Sequence, residues 1–165
     1  MTTIRSNPAM EELLKDFKNR TFVLPGKLQE ILSRGFHVAE EAVFFESEFQ
    51  EDSLPDFDLI KYAYTDLSGY EFAVNKLHLE DYCEAHYFAV ALFFVDEFVK
   101  KWKSQFSEDV VAVFSYNNNP EFGENCVFQF HKKRKNEVVI DVHDLKDFLN
   151  PILAIDTSFA DYGAK

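Results

Sequence analysis

The chain has 165 residues, 47% hydrophobic and 28% charged, which suffices for one ordinary core and excludes a disordered class. The formal net charge is −12, and residues 37–98 alone carry fifteen acidic against two basic groups. Such a field disfavours nucleic acid and anionic lipid and attracts basic proteins.

The longest apolar run, 87–95, is about half of what a membrane-spanning helix needs, and the first residues lack the apolar stretch of a signal peptide. Two cysteines, Cys83 and Cys126, sit in apolar surroundings too far apart for a metal knuckle or a CxxC pair. Both are expected to be buried free thiols, which places the chain in a reducing cytoplasm.

In chain order, Asn7-Pro8 opens a first helix, with Met10, Leu13, Leu14 and Phe17 on one face. Pro25-Gly26 breaks the chain, and Leu28, Ile31 and Leu32 predict a second short helix ending at Gly35. Val43-Phe44-Phe45 reads as a strand or a short helix, and residues 51–56 as an acidic loop. Alternation of Ile60, Tyr62 and Tyr64, then of Phe72 and Val74, predicts two strands over 58–66 and 70–77, joined by Asp66-Leu67-Ser68-Gly69.

A long helix is expected over 80–103, with Glu80, Asp81 and Glu84 at its positive end and Lys100, Lys101 and Lys103 at its negative end. Its all-round apolar centre requires cover on more than one side. Strands follow over 110–116 and 126–131. Lys132-Lys133-Arg134-Lys135-Asn136 reads as a solvated hairpin tip from which 137–142 pairs back. One helical turn capped by Asp144 is expected over 143–148, a last strand over 152–155, and a frayed tail after Phe159. The resulting fold class is α+β in a single domain spanning 1–165. Residues 7–35 form an N-terminal helical segment, and 36–165 form an antiparallel, meander-like sheet packed on one long central helix.

No phosphate loop, GxGxxG, HExxH, GxSxG or EF-hand pattern occurs in the sequence. The expectation is therefore a binding protein, not an enzyme, with no cofactor and no metal. The best residues for a contrary reading are His131, Asp141, His143 and Asp144, from adjacent predicted strands; His78 and His86 flank the start of the long helix.

The acidic segment carries Glu40, Glu41, Glu46, Glu48, Glu51, Asp52, Asp56 and Asp58, with no Lys or Arg between Phe36 and Ile60. Eight uncompensated carboxylates in 19 residues repel one another, and Phe44, Phe45, Phe49, Leu54 and Phe57 are interspersed among them. Acid steers a basic partner and aromatic anchors hold it. The candidate partner-binding residues are Glu46, Glu48, Phe49, Asp52, Asp56, Phe57, Asp58, Tyr62, Asp66 and Glu71.

The stretch from Leu79-Glu80-Asp81-Tyr82 through Val110-Val111-Ala112-Val113-Phe114 and Cys126-Val127-Phe128-Gln129-Phe130-His131 to Ile152-Leu153-Ala154-Ile155 resembles the immunity proteins of bacterial toxin systems, most closely those of contact-dependent growth inhibition. The resemblance covers about half the chain and supplies no site residues. It implies a protein that binds a basic nuclease toxin domain and occludes its active site, with no direct contact to nucleic acid or membrane. The alternatives are an acidic adaptor, a nucleic-acid mimic, or an enzyme built on the His131 group.

Overall fold

A computed structural model describes residues 2–17 and 22–158. The tail expected to fray after Phe159 lies outside the described residues.

The elements run β1 (Thr3–Ser6), α1 (Pro8–Asp16), α2 (Gly26–Arg34), β2 (Phe36–Ala39), β3 (Ala42–Phe45), α3 (Phe57–Tyr64), α4 (Leu67–Val74), β4 (Leu77–His78), a 3-10 turn (Leu79–Tyr82), α5 (Tyr87–Gln105), β5 (Val110–Asn119), β6 (Gly123–Lys132) and β7 (Ile152–Asp156). Five strands form one antiparallel sheet in the order β1-β7-β5-β6-β4, and β2 and β3 form a separate two-stranded sheet. The α+β class with one long helix holds. Within the large sheet only β5 and β6 are neighbours in sequence, so the meander is limited to that hairpin.

The helix ends follow local chemistry. The Asn7 side chain accepts from Met10 N and caps α1, and it also donates to the Phe148 and Asn150 carbonyls, tying α1 to the segment before β7. Gly35 ends α2 at φ 77°, a left-handed backbone that a side chain would strain.

Five expected elements differ, in three regions of the chain. The segment 58–77 forms no hairpin: it folds as the helices α3 and α4 up to Val74, and Leu77 alone enters a strand, β4. Ile60 is 1% exposed while Tyr62 is 91% exposed, so two residues of the apparent alternation lie on opposite sides of a helix. The side chains of Asp56 and Asp66, read as loop and turn chemistry, accept from Asp58 N and Gly69 N and cap the two helices.

The long helix begins at Tyr87 and not at Glu80, so it has 19 residues and spans about 28 Å. His86, in the left-handed region at φ 59°, separates it from the 3-10 turn. Glu80 instead serves the sheet edge. β4 is only two residues long, and beyond it Cys126 N of β6 donates to Glu80 Oε2 at 2.8 Å, while Asn125 donates to Oε1 at 2.6 Å.

Finally, 137–142 is not a strand and 143–148 is not a helix. Residues 137–151 cross the outer face of the sheet as a strap, held by Asp144 N to Asp141 O and by His143 N to the Asp141 side chain. Asp141, not Asp144, organises that turn.

Both faces of the sheet are thus covered. Val110, Ala112, Phe114, Phe128 and Phe130 face α5, where Val90, Phe94, Phe98 and Trp102 are at most 5% exposed. Phe36 joins them, its ring centroid 5.2–5.7 Å from Phe45, Phe98, Trp102, Phe106 and Phe130. Val111, Val113 and Ala154 face the strap residues Val142 and Leu145, with Phe72 and Ile140 alongside. A third, smaller core of Ala39, Phe44, Ile60, Leu67 and Tyr70 joins β2 and β3 to α3 and α4.

Candidate functional site

The ten residues expected to bind a partner separate into three environments. Glu48, Asp52, Asp56, Phe57, Asp58 and Tyr62 are exposed; Glu46, Phe49 and Asp66 are half-buried; Glu71 is fully buried. Of the exposed group, Asp56 caps α3 and Phe57, Asp58 and Tyr62 lie on it, while Glu48 and Asp52 belong to the segment before it. Because Ile60 points into the small core, the opposite side of the eight-residue helix presents Asp58, Leu59 and Tyr62 to solvent, with Phe57 at its start. Phe57 is 64%, Leu59 56% and Tyr62 91% exposed. Leu59 was not among the candidates; a helical period over 57–64 would have placed it beside Tyr62.

Phe49 is not free to act as an anchor. Its ring stacks on buried Phe44 with centroids 4.2 Å apart, so it holds the acidic loop against the small core. Glu46 lies 3.6 Å from His37 Nδ1, and His37 Nε2 bonds the Glu51 carbonyl at 2.9 Å. Asp56 and Asp66 are occupied as caps. Among the described residues, none of the eight carboxylates from Glu40 to Asp58 forms an ion pair with a lysine or arginine.

Glu71 corrects the sequence reading. Its Oε1 accepts from Val43 N and Arg134 Nη2, both at 2.7 Å, and its Oε2 accepts from Lys132 N at 2.7 Å and Arg134 Nη1 at 2.9 Å. One helical turn on, the Asn75 side chain accepts from Phe45 N and donates to the Val43 and Phe130 carbonyls. The pair therefore fastens α4 to β3 and to the end of β6. Arg134 is correspondingly no solvated tip. It also donates to the Ser68 hydroxyl and to the Glu41 carbonyl. Lys133 pairs with Asp156 and Ser158. Two of the four basic groups in the run, Lys133 and Arg134, thus neutralise the buried carboxylates of Asp156 and Glu71.

The residues of the enzyme reading are partly brought together. His131, Asp141 and His143 line one cavity of about 130 Å³ between the strap and the sheet, whereas Asp144 lies outside it. His131 is 2% exposed, and burial lowers its pKa, which keeps the ring neutral. Among the described residues, no three or more His, Cys, Asp or Glu side chains gather as they would to hold a metal ion. His78 bonds Glu80 at 3.2 Å, and His86 sits in the break before α5, so these two histidines share no site. Both cysteines are free. Cys126 is buried, and burial pushes its thiol up to about 12; Cys83 is only half-buried, short of the burial expected of it.

The profile of the uncharacterized protein PM0498 family matches residues 5–162, nearly the whole chain. The chain belongs to that family. It is 27% identical over 151 residues to the uncharacterized protein PM0498 of Pasteurella multocida (strain Pm70), an alignment covering 89% of this chain and 94% of the relative. No solved structure matches it. The matched region includes the long helix, α3 and the sheet except the first two residues of β1. No helix among the described residues is long and apolar enough to cross a membrane.

Proposed function

We propose that this chain is a cytoplasmic binding protein that captures a basic protein partner on α3 and the acidic loop before it. The observation that carries this reading is the outward face of α3, where Phe57, Leu59 and Tyr62 stand exposed with Asp58, and exposed Asp52 lies in the loop before it, with no described lysine or arginine paired to those acids. Apolar anchors that cluster on a surface and bear uncompensated charge around them cost stability and solubility unless something docks there. Carboxylates raise the rate of encounter, and an aromatic side chain desolvated in the complex slows escape. In its finer form the partner is a nuclease toxin domain whose active site the chain occludes, the role implied by the resemblance to immunity proteins.

The test is capture from native cell extract on the immobilised chain, comparing wild type with a variant carrying Asp52→Lys, Asp58→Lys and Tyr62→Ala. A basic protein held by the wild type and released by the variant is expected. Its association rate should fall with salt, because the screening length shrinks from about 10 Å at 0.1 M to about 3 Å at 1 M. Identical captured sets for the two proteins would remove α3 as the docking face. A nuclease assay on the captured protein, with and without the chain, then tests the finer form.

A further inference from the structure

The cavity beneath the strap lies apart from α3 and is a binding site of another kind. Its floor is the outer face of the sheet, with Val111 on β5 and His131 opposite it on β6; its roof is the strap, with Ile140 and Val142. Burial leaves His131 2% exposed, yet the ring is not fully used. Its Nδ1 lies 2.9 Å from the Lys132 carbonyl, and a carbonyl oxygen can only accept. Nδ1 therefore carries the proton, and Nε2 bears the lone pair. Nε2 has no hydrogen-bond partner among the described residues, in a side chain that lines the cavity.

The other polar groups narrow the ligand. Glu137, Asp141 and Asp156 line the space against a single lysine, Lys133. Lys133 is taken by Asp156 and Ser158, and Glu137 accepts from Ser68 Oγ at 2.5 Å and Ser68 N at 3.0 Å. What is left is His131 Nε2 inside an otherwise apolar space, with the exposed Asp141 carboxylate and His143 ring on its border, a set that repels anions and rewards a donor. The volume of about 130 Å³ is close to the roughly 150 Å³ in which a single benzene fits. We propose that this cavity binds a small, non-anionic nitrogen heterocycle, an azole-sized ring that donates its N–H to His131 Nε2 and packs its faces between Val111 and Val142.

The test uses pyrrole and furan, rings of the same size of which only pyrrole carries a donor, with acetate as the anionic probe. Long-range ¹H–¹⁵N spectra of the wild-type imidazoles follow His131 during each titration. Expected are a saturable shift of the His131 Nε2 resonance with pyrrole, at least tenfold weaker binding of furan, and no saturable shift with acetate. His131→Phe should erase the difference between the two rings. Equal affinity for pyrrole and furan, an acetate response as large as that of pyrrole, or a cavity that holds water alone and leaves Nε2 unmoved by every probe would each overturn the proposal. The wild-type titrations decide the matter even where His131→Phe fails to fold.

Discussion

Glu71 and Arg134, 63 positions apart in sequence, meet through two hydrogen bonds of 2.7 and 2.9 Å with the carboxylate entirely out of solvent. The carboxylate also holds Val43 N and Lys132 N, so removing it orphans two backbone donors and strips the half-buried guanidinium of its counter-charge at once. Glu71→Ala or Arg134→Ala should each cost about 3–5 kcal/mol in urea unfolding, the range for leaving one partner of a buried pair alone. Glu71→Ala combined with Arg134→Ala should lose less than the two single changes added together. Strict additivity would mean that the pair is not coupled.

Phe94 tests the larger core. It is 0% exposed, with its ring 5.2 Å from Phe128 and 6.4 Å from Phe45. Phe94→Ala should destabilise by about 3–5 kcal/mol. A loss below about 1 kcal/mol, read from the denaturation midpoint, would contradict the packing of α5 on the sheet.

Gly69 should behave against helix propensity. Alanine ordinarily gains about 1 kcal/mol over glycine within a helix. Here a Cβ would stand 2.2 Å from the Tyr64 carbonyl oxygen, part of the backbone that brings α3 into α4. Gly69→Ala should therefore lower the melting temperature, and a rise would show that the α3–α4 junction is looser than described.

Stability should fall with acid in two stages. Burial depresses the pKa of His131, with the Lys132 carbonyl bond opposing it, so the unfolded chain takes up this proton first. That contribution is complete above about pH 6.5 and is lost as pH falls toward the folded value, at up to about 1.4 kcal/mol per pH unit. Burial pushes Asp156 up, but hydrogen bonds from Lys133 and Ser158 outweigh it and hold the carboxyl below its ordinary value. Its contribution is present above about pH 3.9 and is lost as pH falls through the lower folded value. His131→Gln should flatten the first descent and Asp156→Asn the second, measured as unfolding free energy against pH. A His131→Gln profile that keeps the first descent would assign it to another group.

The sequence by itself determined what depends on near neighbours along the chain. The Asn7-Pro8 helix start, the Gly35 stop, strands β5, β6 and β7, and the burial of Val90, Phe94 and Phe98 all follow from caps and periodicity that act within a few residues. Tertiary structure decided the rest. Residues 58–74 carry β-type residues and an accidental alternation, and they became helices because Ile60, Leu67 and Tyr70 could pack on Phe44 of another sheet while Glu71 and Asn75 satisfied the backbone of β3. Glu71 reads in sequence as one more carboxylate of a partner-binding surface, but only the fold delivers Arg134 to it, turning an expected surface charge into a buried fastening. The same contact explains why Arg134 leaves the solvated tip, since a charge is solvated or buried according to which opposite charge the fold brings within reach.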